Sequence, residues 1–237
     1  MNQMRLWGMS GSFQTLVETQ QDLTYDEVVA MLVEAEWQFR QTAKMQRYIK
    51  QAKFRYQATV EEMDFAANRN LDKNQLLRLA DCSFVQRAEN ILVTGPTGVG
   101  KSFVASALGH QACVKGYKAA YFNLQKLFSQ LRMAKADQSY LKVMARLEKT
   151  DLLILDDFGL QPFDHENRIM LLEIIEDRHG KKSTVIASQL PVKSWYEIIG
   201  EKTIADAILD RIVHQAQRIE LKGESMRKKK IKPTKTA

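Results

Sequence analysis

The sequence is poor in cysteine, with two residues in 237, Cys82 and Cys113. They stand far apart and lack a partner at the spacing of a metal knuckle or a redox pair. A disulfide framework is excluded, and two ordinary core thiols are expected in a reducing cell interior. No apolar run approaches the roughly 18–20 residues that cross a bilayer, and the N-terminus has no leader pattern. No membrane partner is expected, and the expected location is cytoplasmic. Proline is rare, at four residues, and neither proline nor glycine occurs between residues 25 and 66. No acidic residue occurs between 37 and 60. No stretch repeats another, which sets aside solenoids and propellers.

The stretch without breakers predicts a helical annex, because Val28, Val29, Leu32, Val33, Ala35 and Phe39 recur at helical spacing. Within it, residues 37–60 hold six basic side chains. On a helical wheel Arg40, Lys44, Arg47 and Arg55 share one side, with aromatic residues interleaved. That face suits a phosphate backbone or an acidic partner; it equally suits a solvated helix side over an aromatic core. The net charge of +7 is concentrated elsewhere. Residues 222–237 carry seven Lys/Arg against one Glu, so the rest of the chain is close to neutral. This basic, flexible end, with Lys228, Lys229 and Lys230 at its centre, suits nucleic acid; the alternative is a tail serving solubility alone.

From residue 90 the pattern alternates strand with helix, the mark of a parallel sheet covered on both sides. Near-continuous apolar runs place strands at 90–94, 118–122, 151–156, 183–188 and 217–221. The first leads into TGPTGVGKS, residues 94–102. The spacing Gly95-x4-Gly100-Lys101-Ser102, after a strand and opening a helix, is that of a phosphate-binding loop. Gly95, Pro96, Thr97, Gly98, Val99, Gly100, Lys101, Ser102 and Phe103 are the candidate nucleotide contacts. Glycines let the backbone amides turn toward phosphate, and the helix start adds its positive dipole end. Lys101 would reach the β and γ phosphates, and Ser102 would give its hydroxyl oxygen to Mg²⁺. The run LLILDDF, residues 152–158, ends a buried strand in two carboxylates. Ligands bind at that end of a parallel sheet. Asp156 would orient the metal through its water shell, and Asp157 would polarise an attacking water.

The ordered series GPTGVGKSFVASALGHQACVKGYKAAYFN, LLILDDFG, STVIASQLP, DAILDRI and IELKGESMR resembles the IstB family, ATP-dependent helpers of insertion-sequence transposition. That family is similar in turn to the helicase loader DnaC and the initiator DnaA. The resemblance implies an α/β P-loop NTPase of AAA+ type: a five-stranded parallel sheet covered by helices, a small N-terminal helical domain and no C-terminal lid domain. It also implies ATP and Mg²⁺ as cofactors. Gln189, or else Ser188, would be a polar sensor between the two carboxylates, or else a turn residue before Pro191. Arg211 matches an arginine finger reaching a neighbouring subunit's phosphates, or else pairs with an Asp on its helix surface. Arg227 matches a nucleotide-sensing arginine, or else belongs to the tail.

The implied function is an ATP-dependent, DNA-binding, oligomeric ATPase. It would organise double-stranded target DNA and activate the transposase of the same element, through ATP sites shared between subunits. The alternative is a DnaC-like helicase loader. A small-molecule phosphotransferase lacks an identifiable acceptor pocket or lid, and no transposase-like acidic triad stands out. Relatives often place Glu after the metal-binding Asp, whereas Asp157 is one methylene shorter, which implies slow or partner-stimulated hydrolysis. The domain reading is an annex over 1–66, a linker over 67–89, the ATPase core over 90–227 and the tail over 228–237.

Overall fold

The apolar runs become five strands because a strand covered on both faces must be apolar almost throughout. The computed structural model describes residues 3–19, 22–65 and 69–226. The chain divides into two units, residues 1–50 and 51–237. Residues 51–65 and 69–89, read from sequence as annex and linker, therefore count with the sheet unit.

The first unit consists of α1 (Trp7–Thr19) and most of α2 (Tyr25–Ala52). Sequence reading found α2 but not α1, whose glycines look unhelical. Gly8 is needed there, because a Cβ on it would stand 2.5 Å from the Ala35 carbonyl oxygen of α2. The buried Glu36 carboxylate accepts the free amides of Gly8 and Met9 at 2.9 and 3.2 Å, which caps α1 and ties it to α2. α2 opens with a reciprocal cap: the Thr24 amide donates to Glu27 and the Glu27 amide to the Thr24 hydroxyl.

α2 stops at Ala52, well short of residue 66, and Lys53 takes a left-handed φ of 55°. Ala58, Val60 and Met63 are buried, and Phe54 lies against Gly109. Burial of these side chains in the second unit outweighs the helix preference of the sequence. The expected face of four basic residues is thereby corrected: Arg55 lies beyond the helix end.

The second unit begins with α3 (Lys73–Ala80) and α4 (Ser83–Gln86). It continues as β1 (Ile91–Thr94), α5 (Lys101–Val114), β2 (Ala119–Asn123), α6 (Leu124–Ala136), α7 (Tyr140–Glu148) and β3 (Leu152–Phe158). It ends with α8 (His165–Arg178), β4 (Ser183–Ser188), α9 (Trp195–Ile199), α10 (Lys202–Val213) and β5 (Gln217–Glu220). The strands are parallel in the order β2-β3-β4-β1-β5. Alternation along β3 sends Ile154 toward Gly109 of α5, while Leu153 and Leu155 enter the opposite core with Leu127, Met170 and Ile208. Both cysteines are buried, and burial pushes each thiol up to about 11, so they are core residues.

Candidate active site

The loop between β1 and α5 owes its path to its glycines. Gly95 has φ +146°, and a Cβ there would stand 2.3 Å from the Leu221 carbonyl oxygen; Gly98 has φ +85° against Ser225. Side chains at either place would clash and strain the backbone. Gly100, also left-handed, leads into α5, whose first amides point toward the loop's hollow. The buried Lys101 ammonium donates to the Pro96 carbonyl at 2.8 Å, spanning the loop. Val99 is buried beneath it, and Ser102 and Phe103 are half-buried in the first turn.

The two acids at the end of β3 meet one guanidinium, that of Arg55, although strict alternation would part them. The register with β4 breaks between Leu155 and Phe158, and Asp157 adopts φ +58°. Aspartate tolerates this left-handed conformation better than bulkier residues do, and such strain concentrates at functional sites. Phe158 pins the turn from behind, its ring 4.5 Å from Trp195 and 5.4 Å from Phe163.

Asp156 is 1 % exposed. Its Oδ2 accepts from the Tyr121 hydroxyl and, at 3.2 Å, from Arg55 Nη1. Its Oδ1 is buried and receives no hydrogen bond from the described residues. A buried carboxylate oxygen left open at the end of β3 fits a hydrated divalent cation, which supports the sequence expectation of Mg²⁺. Burial, with Asp156 next to it, pushes the Tyr121 hydroxyl well above its ordinary value, so at neutral pH it remains a donor. Asp157 Oδ2 accepts from Asn123 Nδ2 at 2.7 Å and from the same Arg55 nitrogen at 3.2 Å. Asn123 is itself oriented, because its Oδ1 caps α6 through the Lys126 amide.

Gln189 follows β4 and accepts the Thr97 hydroxyl at 2.7 Å, which brings it to the phosphate loop. Ser188, the other sensor candidate, is buried and donates to the Phe158 carbonyl. The cleft formed here has a volume of about 680 Å³ and is lined among others by Arg55, Arg69, Lys101, Ser102, Asp157 and Gln189. Such a volume accommodates a nucleotide.

Sequence reading missed Tyr121, Asn123 and Arg69, and it assigned Arg55 to nucleic acid. The buried Arg69 guanidinium lies beside Gly100 and donates to the carbonyls of Val99 and Asp64 at 3.3 and 2.8 Å. Asn123 ends the strand in register with Asp156, so the carboxyl end of the neighbouring strand was a usable signal. No local pattern marks Arg55 or Arg69.

Arg211 lies elsewhere. It sits on α10, its Nη2 2.8 Å from Glu176, and it lines a separate cleft with Asn90, Lys182 and Gln215, residues that lead into β1, β4 and β5. That cleft is at the opposite end of the strands from the phosphate loop. On α2, Arg40 pairs with Glu36 at 2.7 Å, while Lys44 and Arg47 lie over the Tyr48 ring. Arg227, Lys228, Lys229 and Lys230 fall outside the described residues; the Met226 amide donates to the Gly98 carbonyl just before them.

A parallel sheet in this order, a phosphate loop on its first strand and paired acids on the third define a P-loop ATPase of the AAA+ class. The family profile of the IstB-like ATP-binding proteins matches residues 1–234, and the chain belongs to that family. It is 43 % identical over 230 residues to an insertion-sequence ATP-binding protein of Sinorhizobium fredii, covering 96 % of this chain and 94 % of that one. It is 41 % identical over 194 residues to the ATP-binding protein of insertion sequence IS1162 from Pseudomonas fluorescens, covering 81 % and 84 %. Among solved structures, DnaI matches with a TM-score of 0.60 at 22 % identity, over 70 % of this chain and 91 % of DnaI. The DnaC helicase loader matches at 0.58 and 20 %, over 72 % and 99 %. Among the described residues no helix is long and apolar enough to cross a membrane.

Proposed function

We propose that this ATPase works as an oligomer on double-stranded DNA, where ATP binding and hydrolysis organise a transposition target and activate the transposase of the same element. The observation that carries the shared-site part is the separation of Arg211 from the phosphate loop: the two line clefts at opposite ends of the sheet. An arginine so placed is out of reach of its own subunit's phosphates, which supports a role at the nucleotide of another subunit. The transposition part is supported by the insertion-sequence relatives, whose similarity runs the length of the chain.

Within one subunit, the amides of the loop at Gly98 and Gly100 and the ammonium of Lys101 hold the β and γ phosphates. Ser102 and, through water, Asp156 would hold Mg²⁺, which would supply charge neutralisation at those phosphates. Asp157 accepts a hydrogen bond from the water that attacks the γ phosphorus, and Gln189 fixes that water or the phosphate from the other side. The bond from γ phosphorus to the bridging oxygen breaks, ADP takes the bonding pair, and the water's proton leaves by way of Asp157. Arg211 of a neighbouring subunit meets the charge that grows on the transferred group.

Mixing mutant subunits tests the assembly. Arg211→Ala should bind nucleotide normally yet lose most hydrolysis, by roughly 10³-fold if the finger acts as in other P-loop enzymes. Lys101→Ala should fail to bind. Combined, they should regain hydrolysis where an intact pocket meets an intact arginine. If co-assembly is demonstrated and no activity returns, the sites are not shared.

A further inference from the structure

Arg55 lies in the ATP cleft with no role among those assigned above. A single nitrogen, Nη1, is 3.2 Å from Asp156 Oδ2 and 3.2 Å from Asp157 Oδ2. The guanidinium also lies over the Tyr56 ring, 5.9 Å from its centroid, and that ring is 6.2 Å from Phe103 in the first turn of α5. Asp156 is thus held at Oδ2 by Tyr121 and Arg55 while its Oδ1 receives no hydrogen bond. Asp157 is held at Oδ2 by Asn123 and Arg55. Two adjacent carboxylates repel each other, and a shared cation lets both stay close and fixed. A guanidinium is charged at any working pH, and the two carboxylates beside Arg55 offset the cost of its partial burial.

We propose that Arg55 is a positioning residue for hydrolysis: it clamps one oxygen of each acid so that the other is presented to the hydrated metal and to the attacking water. This rests on the reading of Asp156 and Asp157 given above. The clamp has a measurable cost. Arg55 and the metal draw on the same Asp156 carboxylate from its two oxygens, and like charges a few ångströms apart oppose each other. The native site therefore holds Mg²⁺ less tightly than the same site without Arg55, yet turns over faster.

The experiment compares full-length wild type with Arg55→Ala, Arg55→Gln and Arg55→Lys, and includes Asp157→Asn. Steady-state hydrolysis gives kcat and KM for ATP. Equilibrium binding of a fluorescent ATP analogue, titrated with Mg²⁺, gives the metal midpoint without turnover. For Arg55→Ala and Arg55→Gln, kcat should fall on the order of 10- to 100-fold with KM nearly constant, as small misplacements of catalytic groups do. Their Mg²⁺ midpoint should drop by roughly threefold to tenfold. Arg55→Lys keeps the charge, so it should keep the wild-type midpoint and recover part of kcat. An unchanged kcat, or a raised KM alone, overturns the proposal, as does a metal midpoint that does not move. A general structural defect would weaken metal binding as well, which is the opposite sign. Asp157→Asn separates the two levels. If it hydrolyses normally the underlying reading fails; if it is inactive while Arg55→Ala behaves as wild type, only the clamp fails.

Discussion

At the scale of single residues, the phosphate loop and the acid pair are legible because each is contiguous in sequence. Lys101 and Asp157 are then separable by substitution. Lys101→Ala removes a buried cation that bridges the loop, so ATP affinity should collapse, and hydrolysis with it. Asp157→Asn leaves the loop intact and removes a hydrogen-bond acceptor, so ATP should bind as before while hydrolysis falls by about 10²- to 10⁴-fold, the range for a lost general base. Filter binding and phosphate release on both variants check this, and normal hydrolysis by Asp157→Asn would move the role to another group. The partners of the acids were not legible. Arg55 stands 101 residues before Asp156 and Tyr121 35 residues before it. Nothing in the spacing of side chains near Arg55 distinguishes it from the basic residues of α2; only the folded chain takes it off the helix and into the cleft.

At the scale of elements, the five strands were read to within one or two residues at each end, because burial on both faces leaves a nearly unbroken apolar run. The ends of helices were harder. α2 stops without proline or glycine, for the sake of contacts made by Phe54 and the residues beyond it. The key to that packing is a glycine in another helix. A Cβ on Gly109 of α5 would meet Phe54 Cε1 at 2.4 Å and Ile154 Cδ1 at 2.6 Å. Alanine is a better helix former than glycine by about 1 kcal/mol, but overpacking a filled site costs typically 1–3 kcal/mol. Gly109→Ala should therefore destabilise by a net cost of up to about 2 kcal/mol, lowering the melting temperature by up to about 8 °C at the usual slope for a unit of this size. A rise on thermal unfolding would show that Phe54 does not fill that space. Because Phe54 adjoins Arg55, the variant should also lose hydrolysis at a temperature where it remains folded.

At the scale of the whole molecule, charge is the main unused information. The fold accounts for little of the +7, most of which lies in residues 222–237. Deleting residues 228–237 removes five lysines. If all five contact phosphates, the slope of log affinity for duplex DNA against log salt should become shallower by about 4 to 5, with little dependence on sequence. A salt titration with ATP present measures it. An unchanged slope would assign the tail to solubility and shift the DNA contact to Arg40, Lys44 and Arg47 on α2. Composition gave the charge and its location, but phosphate contact is a property of the complex and could not be read from the chain alone.

The two cysteines carry a further consequence. Cys82 lies between α3 and α4 and Cys113 near the end of α5, both 0 % exposed and both with thiols held up to about 11. The folded chain should accordingly react only slowly with thiol-labelling reagents. A cysteine introduced on the surface can be tagged singly in the native sequence. Any reaction at Cys82 or Cys113 themselves is a clock for opening of the ATPase unit, one that nucleotide, by binding only the closed form, slows in proportion to its occupancy.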